Sequence, residues 1–425
     1  MKLIWIGFLL QIIILAFLKP FFTDYEGISV LMTLIHITYT LIVLAGFKNK
    51  QKFIFIGGYF ARVALMFWDL YARNIFVLPN SGLDSEMYYE NAIRISTNME
   101  LLSSMQGLRG GVYSQINGIL FYFIGPQRLI GQYINVLLGL STLYMIYRLL
   151  LLVEISTKTY RTALLIAAFF PTSVIMSAIF LREAFPTFFL AASLYFFIKW
   201  FKKSRYRDMI LSFIMIGVSS AFHSGLIGVV IGYVFAFLFY HKKLNKFKFR
   251  FKSIVSFFIV VAVILLGTTV FGELIFKKFG NIDEISDIYG VGESFARGGS
   301  AYLKGLTINN PIQLFIYSPI RSFYFIASPL PWNWRGFLDV FTFFTDSILY
   351  LGSIFYFIKH KNSFRDRRIL ISILIIMILG STTIFGFGVS NAGTAIRHRQ
   401  KLVPLFIFLW GLMLDAKRSY AARVQ

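Results

Sequence analysis

The feature that most constrains this chain is a repeated alternation of apolar runs with basic clusters. It begins at KLIWIGFLLQIIILAFLKP and continues to LVPLFIFLWGLMLDAKRSYAAR. Runs near the ~20 residues that an α-helix needs to cross a bilayer recur throughout. Of the 425 residues, 57% are hydrophobic and 14% charged, which excludes a soluble globular fold. The expectation is an all-α, polytopic transmembrane helical bundle forming a single integral membrane domain over residues 1–425. The first apolar run has no small-residue cleavage site after it and reads as a retained span.

The 42 Lys and Arg against 19 Asp and Glu leave a net charge of +23. In a soluble protein this excess would suggest nucleic acid. Here the charges gather in short connections: KNKQK (48–52), KWFKKSRYR (199–207), HKKLNKFKFRFK (241–252), KHKNSFRDRR (359–368) and AKRSYAAR (416–423). Basic connections between apolar runs mark the cytoplasmic face and attract anionic lipid headgroups. Membrane lipids, and no nucleic acid, are therefore the expected partners. The absence of cysteine removes disulfides and thiolate chemistry.

About 12 spans, at 3–18, 28–46, 53–71, 130–152, 162–181, 184–201, 209–222, 223–240, 253–272, 339–358, 369–388 and 402–415, place every basic cluster on one side with both termini cytoplasmic. The short pair 209–222 and 223–240 must form a hairpin turning near SSAFHSG. Two long segments, about 72–129 and 273–338, fall on the outer face and exceed ordinary loop length. Pro126, Pro311, Pro319, Pro329 and Pro331 interrupt their apolar stretches, so these segments read as re-entrant or amphipathic helices roofing a cavity. The chain has no repeat or matched halves of the kind that transporters with inverted repeats show.

Three outer groups carry the candidate chemistry. In NSGLDSEMYYENA (80–92), a turn leads into a helix with Asp84, Tyr88 and Asn91 on one face. Asp84 and Glu86 suit general-base work, and equally an N-cap and a complement to the helix dipole. The second group is Arg182–Glu183, at the end of a run kinked by Pro171; it reads as a functional pair or as a local ion pair. The acids could share a divalent cation, though three dispersed carboxylates do not define a metal site, and no cofactor is specified. In the third, Arg397, His398 and Arg399 stand where positive charge is disfavoured; they suit a phosphate, with Arg321 and Arg335 able to contribute, or they snorkel toward lipid. His223, at the hairpin turn, reads more simply as a histidine satisfied by a backbone carbonyl. Arg62 and Asp69, on one face of the third span, are expected to pair with other spans.

Taken together, GLDSEMYYENA, AAFFPTSVIMSAIFLREAF and AIRHRQKLVP, with FHSG similar to an FHxS-like segment, give a pattern that resembles membrane glycosyltransferases of the GT-C type, including bacterial polysaccharide polymerases of the Wzy and EpsG kind. The chain departs from many of these in placing the acidic motif after the third span and in having a single Glu beside an Arg in the second motif. The resemblance implies glycosyl transfer or polymerisation on the outer face of the bacterial cytoplasmic membrane, in surface polysaccharide biosynthesis (O-antigen, capsule or exopolysaccharide). It implies a polyprenyl-phosphate or polyprenyl-diphosphate donor, a glycan acceptor and a polysaccharide assembly complex. In that reading Asp84 is the base, and Glu183 or Glu86 orients the acceptor, tunes Asp84 or helps to hold a cation. Arg182, Arg321, Arg397, His398, Arg399, Tyr88 and His223 would then bind substrate. A transporter or flippase of lipid-linked saccharides needs the same cavity and arginines, and a scaffold protein needs neither.

Overall fold

The computed structural model describes residues 1–22, 25–48, 50–102, 110–270, 299–306 and 311–424. Much of the outer segment expected at 273–338, namely 273–298 and 307–310, lies outside the described residues, as does 103–109 of the first. Among the described residues the protein is helical almost throughout, with one two-residue hairpin pairing Tyr240–His241 with Lys246–Phe247. Among the described residues six helical stretches are long and apolar enough to cross a membrane: Lys2–Phe21, Tyr25–Ala45, Lys52–Tyr71, Arg128–Leu152, Ala184–Lys203 and Phe337–Gly388. The chain is thus an all-α protein with membrane-crossing helices.

The chain divides into two interleaved compact units, Met1–Arg148 with Leu164–Phe188, and Leu149–Ala163 with Phe189–Gln425. The first is built on α1 (Lys2–Leu18), α2 (Tyr25–Ala45), α3 (Lys52–Tyr71), α4 (Asp84–Thr97), α5 (Val112–Ile124) and most of α6 (Arg128–Leu152). Hydrocarbon offers polar side chains no water, so they pair across helices. Tyr133 on α6 shares hydrogen bonds of 2.7 Å with both His36 on α2 and Tyr59 on α3, and Gln11 on α1 donates to Thr33 on α2 at 3.1 Å. At 13 residues, α5 is too short to cross the ~30 Å hydrocarbon core.

The span expected at 162–181 is two helices, α7 (Thr157–Phe169) and α8 (Pro171–Met176). Pro171 has no N–H to continue α7, which leaves terminal carbonyls without intrahelical donors. Arg62 on α3 meets one of them: Nη1 donates to Ala168 O at 2.9 Å, and Nε to Ser177 Oγ at 3.0 Å. The partner expected for Arg62 on another span is therefore a backbone carbonyl at a helix break.

The second unit holds most of α9 (Ala184–Lys203), α10 (Tyr206–Phe222), α11 (Gly228–Phe239), α12 (Phe251–Val270), α13 (Pro311–Ala327), α14 (Phe337–Thr342), α15 (Ile348–His360), α16 (Arg368–Gly388), α17 (Ala392–Arg399) and α18 (Val403–Val424). The expected hairpin is α10 and α11, joined by a 3-10 turn at Ser224–Ile227. The backbones of α11 and α16 touch: a Cβ on Gly228 would stand 2.5 Å from the Gly380 carbonyl, so only glycine fits there. On the other side of α11, Ser193 of α9 accepts from Tyr233 and donates to Ser212 O, both at 2.7 Å.

Candidate functional site

In the first unit the acidic stretch takes the expected turn-then-helix form. Asn80 (φ 67°) and Gly82 (φ 91°) adopt left-handed backbone, which reverses the chain ahead of α4. The N-cap position belongs to Leu83 and has no side-chain cap, so Asp84 is the first residue of the helix rather than its cap. Ser85 Oγ accepts from the Gly82 N–H at 2.9 Å instead. Asp84 and Glu86 both lie in the first turn, where carboxylates complement the helix dipole. The shared face is as expected: Tyr88 and Asn91 are buried and Asp84, at the start of that face, is half-buried.

Glu86 is not an open carboxylate. Arg128 reaches it with Nη1 to Oε2 at 2.5 Å and Nη2 to Oε1 at 2.8 Å, while Arg73 Nη1 reaches Oε1 at 2.5 Å. Hydrogen bonding by Arg128, then the charges of Arg128 and Arg73, outweigh partial burial and hold the Glu86 carboxyl down at about 2, from the ordinary 4.5. So weak a base cannot take a hydroxyl proton effectively, and tuning of Asp84 by like charge is largely cancelled by the two guanidiniums. Glu86 is a brace between α4 and the start of α6.

The brace continues through Asp69, a residue to which the sequence assigned no chemistry. Its carboxylate accepts from Arg73 Nη2 at 2.9 Å, Ser81 Oγ at 2.5 Å and Gln132 Nε2 at 2.6 Å. Asp69, Arg73, Glu86 and Arg128 thus alternate in charge from α3 through α4 to α6. Arg128 also lies over the rings of Tyr89 (5.3 Å) and Phe180 (6.0 Å), which fixes its guanidinium plane.

Beside this brace stands the second acidic motif. Arg182 is half-buried with its guanidinium 5.9 Å from the centroid of the Tyr88 ring, one helical turn along from Asp84. Glu183 is fully buried at 0% exposure and acts electrostatically on the Tyr113 phenol. Asn135 anchors the segment before it, donating to Ile179 O and Leu181 O at 2.8 Å and to the Tyr113 hydroxyl at 3.1 Å. The structure therefore brings Arg182 to the helix that carries Asp84 and Tyr88, and it places Glu183 in the protein interior.

The second unit contains the remaining basic candidates, and three of them are occupied structurally. Arg399 is buried, with Nε donating to Asp346 at 2.5 Å and Nη2 paired with the same oxygen. Its other bonds go to Ser328 O, to Ile326 O at 2.9 Å and to Ser347 Oγ at 3.0 Å. Arg321, also buried, donates to Gly386 O, Phe387 O and Ser390 Oγ at 2.9–3.0 Å. Arg335, expected to join an anion site, forms a two-bonded pair with Asp339 at 2.9 and 3.0 Å. Arg321 and Arg399 hold loop carbonyls and a carboxylate in place, because a buried guanidinium must find acceptors wherever the chain offers them, while Arg335, in its pair with Asp339, is exposed.

Arg397 and His398 end α17, whose N-cap Asn391 accepts from the Gly393 and Thr394 N–H groups at 2.9 and 3.3 Å. His398 meets His223 edge to face, with ring centroids 4.2 Å apart at 87°, and Phe385 lies against both. FHSG and RHR thus contribute to one imidazole pair. Lys401, one turn beyond Arg397 and fully buried, donates to Arg397 O at 3.3 Å.

Among the described residues no group of three or more His, Asp or Glu side chains could hold a metal ion. No family of known proteins, no curated protein and no solved structure matches this chain.

Proposed function

We propose that the protein is a membrane glycosyltransferase that moves or polymerises sugar units from a polyprenyl-phosphate or polyprenyl-diphosphate donor on the outer face of a bacterial cytoplasmic membrane. The observation that carries this reading is the Arg182 guanidinium lying over Tyr88, one turn from Asp84, with the carboxylate of Glu183 buried next to it in sequence. Ionisable groups near hydrocarbon are costly and are kept chiefly for function. Here they include an anion-binding cation, a half-buried acid and an aromatic face.

In this reading the acceptor hydroxyl attacks the anomeric carbon of the donor sugar. Asp84 takes the hydroxyl proton, worth ~10²–10⁴-fold for a placed general base. The bond from the anomeric carbon to the phosphate oxygen breaks, and its electron pair leaves with the polyprenyl phosphate. Arg182 stabilises that growing charge. Tyr88, itself buried, holds the Arg182 guanidinium over its ring, and Glu183 orients the surrounding groups. Glu86, braced by Arg73 and Arg128, positions α4 and takes no proton. In the second unit Arg397, His398 and His223 form a separate candidate for a phosphate group.

The topology that accompanies this reading has about 12 spans with both termini cytoplasmic. Asp84→Asn should abolish product while the protein stays at normal abundance and the lipid-linked donor accumulates. Full transfer by that variant removes Asp84 from the mechanism. Loss of donor translocation with transfer intact would identify a flippase instead.

A further inference from the structure

In α3 Asp69 stands 17 residues after the first residue, Lys52, so the helix start lies ~26 Å from the Asp69 brace near its other end. At that first end the initial unit has an open pocket of about 820 Å³, lined by Phe47, Lys48, Lys50, Phe55, Tyr144 and Tyr147. Lys48 and Lys50 are exposed, and neither has an ion-pair partner among the described residues. The lining rings cluster: Phe55 meets Tyr147 at 5.6 Å and Phe47 at 6.0 Å. A third cation stands beside it, where Arg148 lies 5.7 Å over the Tyr144 ring and donates to its hydroxyl at 2.9 Å.

The position of the pocket narrows its ligand. It sits where α2 ends, α3 begins and α6 nears its end, and all three helices are long and apolar enough to cross a membrane. Such helix ends lie at the depth of lipid phosphates, where clustered Lys and Arg attract anionic headgroups. Ile42 and Phe53, 65% and 71% exposed, leave apolar surface on the same helices for acyl chains. We propose that this pocket binds a phosphate-bearing anion, the headgroup of an anionic phospholipid or a free phosphate compound of the same charge. Lys48 and Lys50 supply the counter-charge. The Phe47, Phe55, Tyr144 and Tyr147 rings receive the adjoining glycerol or other carbon skeleton.

The test uses the full chain in phosphatidylcholine nanodiscs with phosphatidylglycerol titrated in, reading retained lipid by native mass spectrometry. The parent should retain phosphatidylglycerol over phosphatidylcholine. The Lys48→Gln/Lys50→Gln double variant should bind it more weakly by about fivefold per lysine, with its thermal midpoint in pure phosphatidylcholine unchanged. Lys48→Arg/Lys50→Arg should keep the preference. Competition by inorganic phosphate assigns a free phosphate compound as ligand, and failure to compete assigns the lipid. Equal retention of the two lipids, or unchanged retention by the glutamine double variant, overturns the proposal.

Discussion

Arg128 grips Glu86 through two parallel hydrogen bonds, 2.5 and 2.8 Å long, and by doing so ties the start of α6 to the first turn of α4. The carboxylate that the sequence offered as a tuning or metal-binding group is thereby turned into a joint. Arg128→Ala should lower stability by about 1.5–3 kcal/mol, the range for hydrogen bonds to charged groups. Arg128→Lys should recover part of that, since an ammonium cannot reproduce the paired geometry. Detergent unfolding of the single variants and of the Arg128→Ala/Glu86→Gln pair measures the coupling; additive losses would show that the two side chains do not interact.

The same joint sets a pH dependence. Glu86 has its folded pKa depressed to about 2 from the ordinary 4.5. Its contribution is therefore fully present above about 4.5 and is lost as pH falls toward about 2. The parent should lose thermal stability more steeply over that acid window than Glu86→Gln does. Parallel pH curves for the two proteins would contradict the brace.

Arg399 and Arg397 are neighbours in sequence with opposite expected phenotypes. Arg399→Ala takes the guanidinium away from the buried Asp346 carboxylate, and removing one partner of such a pair typically costs about 3–5 kcal/mol. Arg399→Ala should therefore deplete folded protein, whereas Arg397→Ala, half-buried at the end of α17, should keep it. Abundance in the membrane and detergent unfolding separate the two. If Arg399→Ala were as stable as the parent, its role as a loop anchor would fall.

The contact of α11 with α16 has no room for a methyl group. Gly228→Ala places a Cβ 2.5 Å from the Gly380 carbonyl, and overpacking of this kind usually costs about 1–3 kcal/mol. Gly217 on α10, which has open space at its Cβ position, is the internal control. Gly217→Ala should raise or preserve the thermal midpoint, while Gly228→Ala lowers it.

Local patterns in the sequence determined the helical membrane class, the turn at Asn80–Gly82, the helix that follows Asp84, the hairpin about His223 and the break at Pro171. Each depends on hydropathy, proline or glycine within a few residues. Asp69 carried a local signal too, since an acid in an apolar run four residues before Arg73 is placed for a helical ion pair. Its joining with Ser81, Gln132, Glu86 and Arg128 came only from the tertiary structure. So did the capture of Arg399 by Asp346, of Arg321 by the 386–390 backbone, and the pairing of His223 with His398. A sequence shows which groups are costly to bury in hydrocarbon. Which carbonyl, carboxylate or ring relieves that cost depends on how distant helices pack, and there Arg321 and Arg399, which the sequence offered as anion-binding groups, became structural anchors.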